Sequence, residues 1–403
     1  MTKESGPSHP DVARRTADCV VISADPTAAD ANPFYMHRAR PLLTAVLDIL
    51  AETDDKRLSE AVADLRRSPA DPSRYGTLVS AVAELLGKSP ELSDRLARAL
   101  DLVNAKSRIG YHRGDYAGRE FPPVRTDSVE PAEEELPGIA PIAQVVIPFR
   151  DSSASGERLE NLLSCLRALR DQSIPGARYI VTVVECDVEP RWRGQVEQFA
   201  DEYVHAYKSG DFNRSWGLNV GVVNCRSRTP YVCVLDADAL VDRDFVKRNV
   251  ERFLAPAVGA FLPFTDLLYL DRESSRRAVA RRTVERAPDI DLAYVRGFLV
   301  HRASGMCAWL RRDVYEEIHG FDERYEGWGG EDLDFVLRLQ LAAAFRYFDD
   351  PLLHIHHPVA SGIVRDDGRP AAVLPQLLTW KPDGPIGRTE RFVPVGASRE
   401  ERT

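Results

Sequence analysis

The sequence lacks several features that mark other classes of protein. It has no run near the ~18 apolar residues that a membrane helix needs. Its six cysteines form no CxxC pair of the kind that binds structural zinc. Basic residues are outnumbered, with 53 Lys and Arg against 62 Asp and Glu, giving a formal net charge of −9. We therefore expect no membrane span and no nucleic-acid partner, because nucleic-acid binding depends on a basic field.

The N-terminus also lacks the apolar core of a secretory signal, since Met1–Gly6 is polar. Most cysteines lie in apolar runs such as Tyr231–Leu235. Both observations favour a cytoplasmic protein with reduced, buried thiols.

The apolar pattern divides the chain into two predicted domains with flanking segments. Residues 1–30 are polar and mixed, which predicts a flexible lead. Apolar residues then recur at helical spacing, which predicts a helical domain of about four helices over 31–108. Residues 109–141 are rich in Pro, Gly and charge and are typical of a linker. The tail over 360–403 has little periodicity, so we expect it to wrap the surface or to be partly disordered.

The segment 142–359 alternates strands and helices. Apolar runs at Ala143–Phe149, Tyr179–Val184 and Tyr231–Leu235 predict strands, and helical patterns follow at Glu157–Asp171 and Arg193–Tyr207. This alternation predicts an α/β domain with a mostly parallel sheet. Ligands of such sheets bind at the carboxyl ends of the strands, so polar residues there are the candidates for function.

Three polar motifs follow apolar strands. Asp236-Ala237-Asp238 comes directly after the strand at 231–235, where two carboxylates can share a divalent cation, although a solvated turn would look the same. The loop Gly327–Asp334 combines glycines, an aromatic residue and three acids, which serve either a ligand or the cap of the helix that follows. The third motif, His354-Ile355-His356-His357, offers imidazole ligands or forms a polar strand end.

In this order and spacing the motifs resemble the metal-dependent nucleotide-sugar glycosyltransferases with the GT-A fold. They are similar above all to the branch that contains the β-1,4-galactosyltransferases and the catalytic domain of polypeptide N-acetylgalactosaminyltransferases. Three further matches are the Pro-Phe-Arg strand at Val146–Arg150, the helix at Phe212–Gly221, and Gly320-Phe321-Asp322 before the glycine loop. The resemblance runs from about Gln144 to Pro358, and the helical domain before it has no counterpart.

This resemblance implies the GT-A fold after a small helical domain, and inverting transfer of a sugar from a UDP-sugar with Mn²⁺ (or Mg²⁺). It gives Asp332 the role of general base, with Glu331 beside it on the acceptor sugar. It makes Asp238 and His357 ligands of the metal, with His354 as a candidate third ligand. The residues it assigns to the nucleotide sugar are Pro148, Phe149, Arg150, Phe212, Arg214, Asp236 and Trp328, the last as a gate over the donor.

Two features bear on specificity. Leu333 departs from the galactosyltransferases, which carry a further acid there that helps to hold an N-acetylglucosamine acceptor, so the apolar residue argues against that acceptor. Six arginines between Arg272 and Arg286 form either a solvated helix face or a lid over anionic groups.

The size and motif order are similar to those of glucosyltransferases that complete aminocyclitol antibiotics. This similarity favours UDP-glucose as the donor and a small hydroxylated acceptor, such as an aminocyclitol. One alternative is a polysaccharide or glycolipid glycosyltransferase that uses UDP-galactose or a UDP-N-acetylhexosamine. Another is a catalytically silent UDP-sugar-binding protein. The sequence leaves the oligomeric state open.

Overall fold

A computed structural model describes residues 8–115, 118–124, 140–151, 156–255, 257–358, 375 and 377–394. The chain divides into two compact units. The first comprises residues 1–113, 296–302 and 358–371, and the second comprises 114–295, 303–357 and 372–403. Within the described residues, no helix has both the length and the apolar character that crossing a membrane requires.

Helices and strands follow one another along the described chain. The helices are α1 His9–Ala24, α2 Pro26–Ala31, α3 Pro33–Ala51, α4 Lys56–Arg67, α5 Pro72–Lys88, α6 Pro90–Lys106, α7 Glu157–Arg170, α8 Arg193–Val196, α9 Arg214–Val223, α10 Phe245–Arg252, α11 Arg272–Val279, α12 Arg312–Glu317 and α13 Glu331–Ala342. The strands are β1 Ile109–His112, β2 Ala143–Phe149, β3 Tyr179–Glu185, β4 Glu202–His205, β5 Tyr231–Leu235, β6 Ala239–Leu240, β7 Ala260–Leu262, β8 Asp266–Leu270, β9 Gly297–His301, β10 Cys307–Arg311, β11 Phe345–Tyr347 and β12 Leu352–His354.

The first unit contains α1–α6 and the antiparallel pair β1 and β9. Its helices α3 and α5 begin after a polar residue whose side chain caps the first turn. The Asp71 carboxylate accepts from the backbone N–H of Ser73 at 2.9 Å, and Asn32 accepts from that of Tyr35 at 3.0 Å. Proline occupies the first turn of the helices after both caps, where its missing N–H costs nothing. The Asn32-Pro33 and Asp71-Pro72 pairs therefore mark the starts of α3 and α5.

The structure differs from the prediction of a flexible lead at 1–30. Helices α1 and α2 occupy residues 9–24 and 26–31, and only residues 1–7 lie outside the described chain. The buried face of α1 contains alanines, valines and Ile22, and α1 has no leucine. The Leu-based helical pattern does not detect such a face. The predicted linker at 109–141 begins with β1, which pairs Ile109 with Val300 of β9, and residues 125–139 of that prediction lie outside the described chain.

The second unit is built on a seven-stranded sheet in the order β11-β7-β10-β5-β2-β3-β4. Strands β5, β2, β3 and β4 are parallel neighbours, while β10 is antiparallel to both β5 and β7. The interior strand β2 is buried along its whole length. The predicted α/β class with a mostly parallel sheet is confirmed.

The predicted helix at Arg193–Tyr207 is wrong beyond its first turn. Helix α8 ends at Val196, and Glu202–His205 forms the edge strand β4, parallel to β3. The Thr182 hydroxyl on β3 donates to Glu202 Oε2 at 2.9 Å. Pairing with the sheet edge thus overrides the helical pattern of this segment.

Helix α9 packs on β2 and β3 at unusually close range because of its glycines. A Cβ at Gly221 would lie 2.4 Å from Val146 Cγ1. The Asn219 side chain of α9 donates to Phe321 O and accepts from Phe321 N–H, each at 2.9 Å. This clamp joins two of the motifs found in the sequence. The start of α9, where Arg214 lies, is fixed by the Asn213 side chain, which accepts from the Trp216 N–H at 2.8 Å.

The part of the tail that the structure describes, 375 and 377–394, contacts the second unit. The Trp216 indole donates to Arg388 O at 2.9 Å, and Arg391 pairs with Glu323 at 2.8 Å. The remainder of the tail predicted at 360–403 lies outside the described residues.

Candidate active site

Strand pairing brings the Asp-x-Asp motif and the histidine motif together. The Asp-x-Asp motif follows β5 and leads into β6. Strand β6 pairs antiparallel with β12, so that Ala239 is opposite His354. The Ile355 N–H then donates to Asp238 O at 2.8 Å. Two segments distant in sequence therefore run side by side, just beyond the carboxyl end of β5.

The three predicted metal ligands form a compact cluster. His357 Nε2 lies 3.0 Å from Asp238 Oδ2, and His354 Nε2 lies 3.4 Å from Asp238 Oδ1. One ligand atom from each residue lies within 4.8 Å of the others. Asp238 Oδ1 is buried and has no hydrogen-bond partner in the described part of the chain. A carboxylate with two imidazoles and an unsatisfied buried oxygen fits a divalent first-row cation.

The electrostatics of this cluster favour the protonation states that a metal needs. Burial alone would raise the pKa of Asp238, but His354 and His357 outweigh it and hold that pKa far below its usual range. Burial lowers the pKa of His354 to about 4, so its imidazole is neutral at pH 7 and keeps a lone pair. His354 is also stacked on Tyr269 with ring centroids 4.0 Å apart, which fixes the plane of the ring.

Arg214 connects the Asp-x-Asp motif to the predicted base. Its Nε donates to Asp236 Oδ1 at 2.7 Å, and its Nη1 donates to Asp332 Oδ1 at 2.7 Å. Burial raises the pKa of Asp236 to about 7, and the neighbouring carboxylates of Asp332 and Asp238 add to the rise while Arg214 opposes it. One guanidinium thus sets the spacing of two carboxylates from different motifs.

The glycine loop has the backbone that its composition predicts. Gly327, Gly329 and Gly330 have φ values of +81°, +97° and +101°, a region that L side chains rarely adopt. Trp328 between them is 36% exposed, and the Gly327 N–H donates to Phe212 O at 2.9 Å. The loop holds an aromatic ring at the surface immediately before α13.

Helix α13 begins with the two predicted acids. Glu331 is buried, and burial followed by the charge of Asp332 raises its pKa to about 7. Asp332 remains partly open to solvent, with 24% of its side chain exposed. The two neighbouring carboxyls therefore differ in their exposure to solvent.

Sequence reasoning missed Gly305, which borders Asp332. A Cβ at this position would lie 2.3 Å from Asp332 Oδ2. The glycine lets the carboxylate lie against the loop before β10. A single glycine in a polar stretch gives no signal of such an approach, because the contact depends on packing between distant segments.

Three residues predicted to contact the nucleotide lie apart from the cluster. Pro148 and Phe149 are buried in β2. The Arg150 guanidinium donates to Gly210 O at 2.6 Å and to Lys208 O at 3.2 Å. It therefore holds the loop before α9, and its proposed contact with a diphosphate stays a prediction.

The arginine-rich segment is not a uniformly solvated face. Arg282 is fully buried and pairs with Asp171 at 2.5 Å, while its Nε donates to Val241 O. Arg286 also pairs with Asp171, whereas Arg276 is exposed beside Glu273. Part of this segment therefore anchors the fold.

A cavity of about 660 Å³ lies elsewhere in the second unit, between the end of α9 and the described part of the tail. Its lining includes Asn224, Tyr315 and Gly387, and none of the predicted site residues. The candidate site is therefore defined by its side-chain chemistry and not by this cavity.

Comparison with known families agrees with this geometry. Residues 144–319 match the sequence model of a family described as glycosyl transferase family 2, and residues 301–348 match one described as the N-terminal domain of galactosyltransferase. Comparison with curated proteins returns no match.

Three solved structures that this chain is similar to are distant in sequence. A Drosophila β1,4-galactosyltransferase 7 in complex with manganese, UDP-Gal and xylobiose is 18% identical, with a TM-score of 0.33 over 54% of this chain and 72% of that one. A Pyrobaculum calidifontis mannosyltransferase with GDP-Man and Mn²⁺ is 17% identical, with a TM-score of 0.34 over 57% and 59%. TarS from S. aureus is 14% identical, with a TM-score of 0.36 over 53% and 37%.

The mixed α/β sheet and the match over 144–319 define a class of fold, that of the GT-A nucleotide-sugar transferases. Within the chain, residues 144–319 match the model of glycosyl transferase family 2, and helices α1–α6 precede them in sequence.

Proposed function

We propose that the protein is a metal-dependent inverting glycosyltransferase that moves a hexose from a UDP-sugar to a hydroxyl of a small acceptor. The observation that carries the proposal is the placement of Asp238, His354 and His357 in one cluster, with Arg214 linking the neighbouring Asp236 to Asp332. The cluster supplies cation ligands, and Asp332 supplies a partly exposed carboxylate.

Each residue has a chemical task in this proposal. Asp238, His354 and His357 hold Mn²⁺ or Mg²⁺, which when bound neutralises negative charge on the departing nucleoside diphosphate. Asp332 accepts the proton of the acceptor hydroxyl as a general base. Arg214 holds Asp332 Oδ1 at 2.7 Å and so orients the carboxylate toward the acceptor. Glu331 contacts the acceptor sugar, and Trp328 covers the donor and limits access of water.

UDP-glucose and an aminocyclitol acceptor are the favoured substrates. The Pro-Phe-Arg strand and the Phe212–Gly221 helix support UDP through their resemblance to uridine-binding enzymes. Leu333 in place of a further acid is consistent with an acceptor other than N-acetylglucosamine. Asp236 and Arg214 are placed to contact the donor between the cation ligands and the base.

A donor panel tests this proposal. Metal-stripped protein is incubated with UDP-glucose, UDP-galactose, UDP-N-acetylglucosamine or GDP-mannose, each with and without Mn²⁺ and with and without aminocyclitol acceptors, and release of the nucleoside diphosphate is followed. We expect Mn²⁺-dependent release from UDP-glucose that an aminocyclitol accelerates. Binding of a UDP-sugar without release under any condition would instead indicate a silent binding protein, and preference for another UDP-hexose would correct the donor.

A further inference from the structure

Lys208 is a buried lysine that the proposed chemistry does not use. Its side chain is only 5% exposed, so its ammonium needs partners within the protein. One of them is the Ser209 carbonyl, which accepts from Nζ at 2.7 Å. The backbone of Lys208 is also held, because its N–H donates to Asp187 O and its carbonyl accepts from Arg150, each at 3.2 Å. Lys208 is therefore a fixed point in the second unit.

The Lys208 ammonium contacts two further segments that are far apart in sequence. Its Nζ donates to Glu326 Oε2 at 3.3 Å, and Glu326 immediately precedes the glycine loop. The same nitrogen lies 4.5 Å from the ring centroid of Phe392, a cation–π contact with the described part of the tail. Because Glu326 is 44% exposed, the ion pair has one buried and one solvated end. The lysine thus links the tail to the start of the loop.

The part of the tail around Phe392 is attached to the catalytic domain by several contacts. The Phe392 ring meets the Trp216 indole edge to face, with centroids 4.9 Å apart. The buried carboxylate of Glu323 accepts from the Gly387 N–H at 2.6 Å and pairs with Arg391 at 2.8 Å. These contacts give Phe392 a defined position beside the lysine.

The glycine loop itself is built to change its backbone angles. Its three glycines adopt positive φ values, and glycine moves between backbone regions at little steric cost. The Gly327 N–H donates to Phe212 O at 2.9 Å, so this bond and the Glu326 ion pair both join the start of the loop to residues 208–212. A change at Lys208 would therefore act on the loop directly.

We propose that Lys208, Glu326 and Phe392 form a latch that holds the glycine loop in its present position. Phe392 and the Ser209 carbonyl keep the ammonium in place, while the exposed Glu326 can exchange its ion pair for water and free the loop. Lys208 is thus a positioning residue for Trp328, which lies in the loop. This inference rests on the proposed function for the purpose of the motion, because Trp328 covers the donor in that proposal.

The other role open to Lys208 is to stabilise the fold as a whole. In that role its replacement would loosen the second unit generally, including the buried strands β2 and β5. A latch acts on one loop and leaves those strands unchanged. The two roles can therefore be separated by measuring how fast the amides of each segment exchange with solvent, since exchange reports local opening.

Hydrogen–deuterium exchange with detection by mass spectrometry tests the latch in wild type, Lys208→Met, Glu326→Ala and Phe392→Leu. Methionine keeps the bulk of the lysine stem and removes its charge. We expect the peptide over 322–330 to exchange about 10-fold faster in Lys208→Met and in Glu326→Ala, as the loss of a hydrogen bond between charged groups predicts. Phe392→Leu should raise the rate by a smaller factor, because it removes only the ring face.

Two further variants sharpen this test. The double variant Lys208→Met/Glu326→Ala should exchange no faster than either single variant, because both remove the same interaction. The matched control is Lys88→Met, which removes another lysine from an ion pair, that with Glu84 at 2.6 Å on α5. The control should leave exchange over 322–330 at the wild-type rate.

Exchange over 322–330 at the wild-type rate in Lys208→Met would overturn the inference. Equal acceleration in the peptides of β2 and β5 would overturn it in favour of a role in the fold. If Lys208→Met does not fold, Glu326→Ala decides the question alone, because its side chain is partly solvated. The measurement needs no substrate, so a donor panel without turnover would end the proposed function and leave the latch standing.

Discussion

Asp238 Oδ2 lies 3.0 Å from His357 Nε2, although the two residues come from separate motifs at the middle and the end of the catalytic domain. The contact exists because β12 pairs with β6 directly after the Asp-x-Asp turn. The cation site therefore depends on the pairing of two very short strands, and its residues can be tested one at a time.

Removal of a predicted metal ligand should abolish cation binding selectively. We expect Asp238→Asn and His357→Ala each to weaken Mn²⁺ binding by at least about 100-fold, since even the outer partners of a metal site contribute 10–100-fold. The matched control is His356→Ala, because His356 lies between two cluster residues in sequence and is not part of the cluster. Titration of Mn²⁺ by electron paramagnetic resonance measures this, and equal loss in all three variants would contradict the ligand assignment.

Replacement of the predicted base should separate chemistry from binding. Asp332→Asn keeps an oxygen that can accept from Arg214 but cannot take up a proton, so we expect transfer to fall by about 10²–10⁴-fold while affinity for the UDP-sugar persists. Transfer rates and donor titrations on the same preparation check this result. Transfer at the wild-type rate would exclude Asp332 as the base.

The contact between Gly305 and Asp332 predicts that a single methyl group will disturb the site. In Gly305→Ala the new Cβ would stand 2.3 Å from Asp332 Oδ2, so the carboxylate must move. We expect transfer to fall about 10-fold or more, as for a displaced catalytic group, while Mn²⁺ binding remains.

The matched control for this variant is Gly194→Ala, because no atom lies within 4 Å of a Cβ added there and the glycine has no positive φ. Its transfer rate and Mn²⁺ affinity should match those of wild type. Equal transfer rates for Gly305→Ala and Gly194→Ala would show that the carboxylate position is not critical.

The helical unit offers a pH-dependent stability test that is independent of the active site. Burial raises the pKa of Asp18 to about 6. The Tyr75 hydroxyl donates to Asp18 Oδ1 at 2.7 Å and partly opposes this rise. Because the folded-state pKa lies above the unfolded value of 3.8, the folded state prefers the protonated acid. The contribution of Asp18 to the free energy of unfolding is therefore fully present below pH 3.8. It is lost as the pH rises through about 6.

Asp18→Asn removes this penalty. We expect the variant to be more stable than wild type by about 1–3 kcal/mol at pH 8, and close to wild type at pH 4, from the size of the shift. Urea denaturation at both values measures the difference. A variant destabilised equally at both pH values would contradict the assignment.

The fold of the catalytic domain could be predicted because its central strands are short, apolar and bounded by turns. The strands at 143–149 and 231–235 have the predicted limits. The segment at 193–207 could not be predicted in this way, because β4 forms by pairing with β3. The first helices were missed because α1 has no leucine and buries alanines and β-branched residues, which the Leu-based pattern does not detect.

The residue types of the site were visible in the sequence, but their partners were not. Resemblance to a family linked Asp238 to His357 and offered His354 as a third ligand, and the register of β12 against β6 explains how both imidazoles come to lie beside Asp238. Gly305 depends on a contact between distant segments and has no local pattern. Arg150 had a visible motif, yet its bonds to the 208–210 carbonyls became apparent only in the structure.

The most direct test of the central claim is the dependence of UDP-glucose turnover on the occupancy of one cation site. Protein treated with a chelator is titrated with Mn²⁺, and release of UDP is followed alongside bound Mn²⁺ in wild type and Asp238→Asn. We predict that turnover is absent in chelator, rises in step with bound Mn²⁺ in wild type and stays absent in the variant. Turnover that persists in chelator, or that Asp238→Asn supports at the wild-type rate, would contradict a metal-dependent transferase built on this cluster.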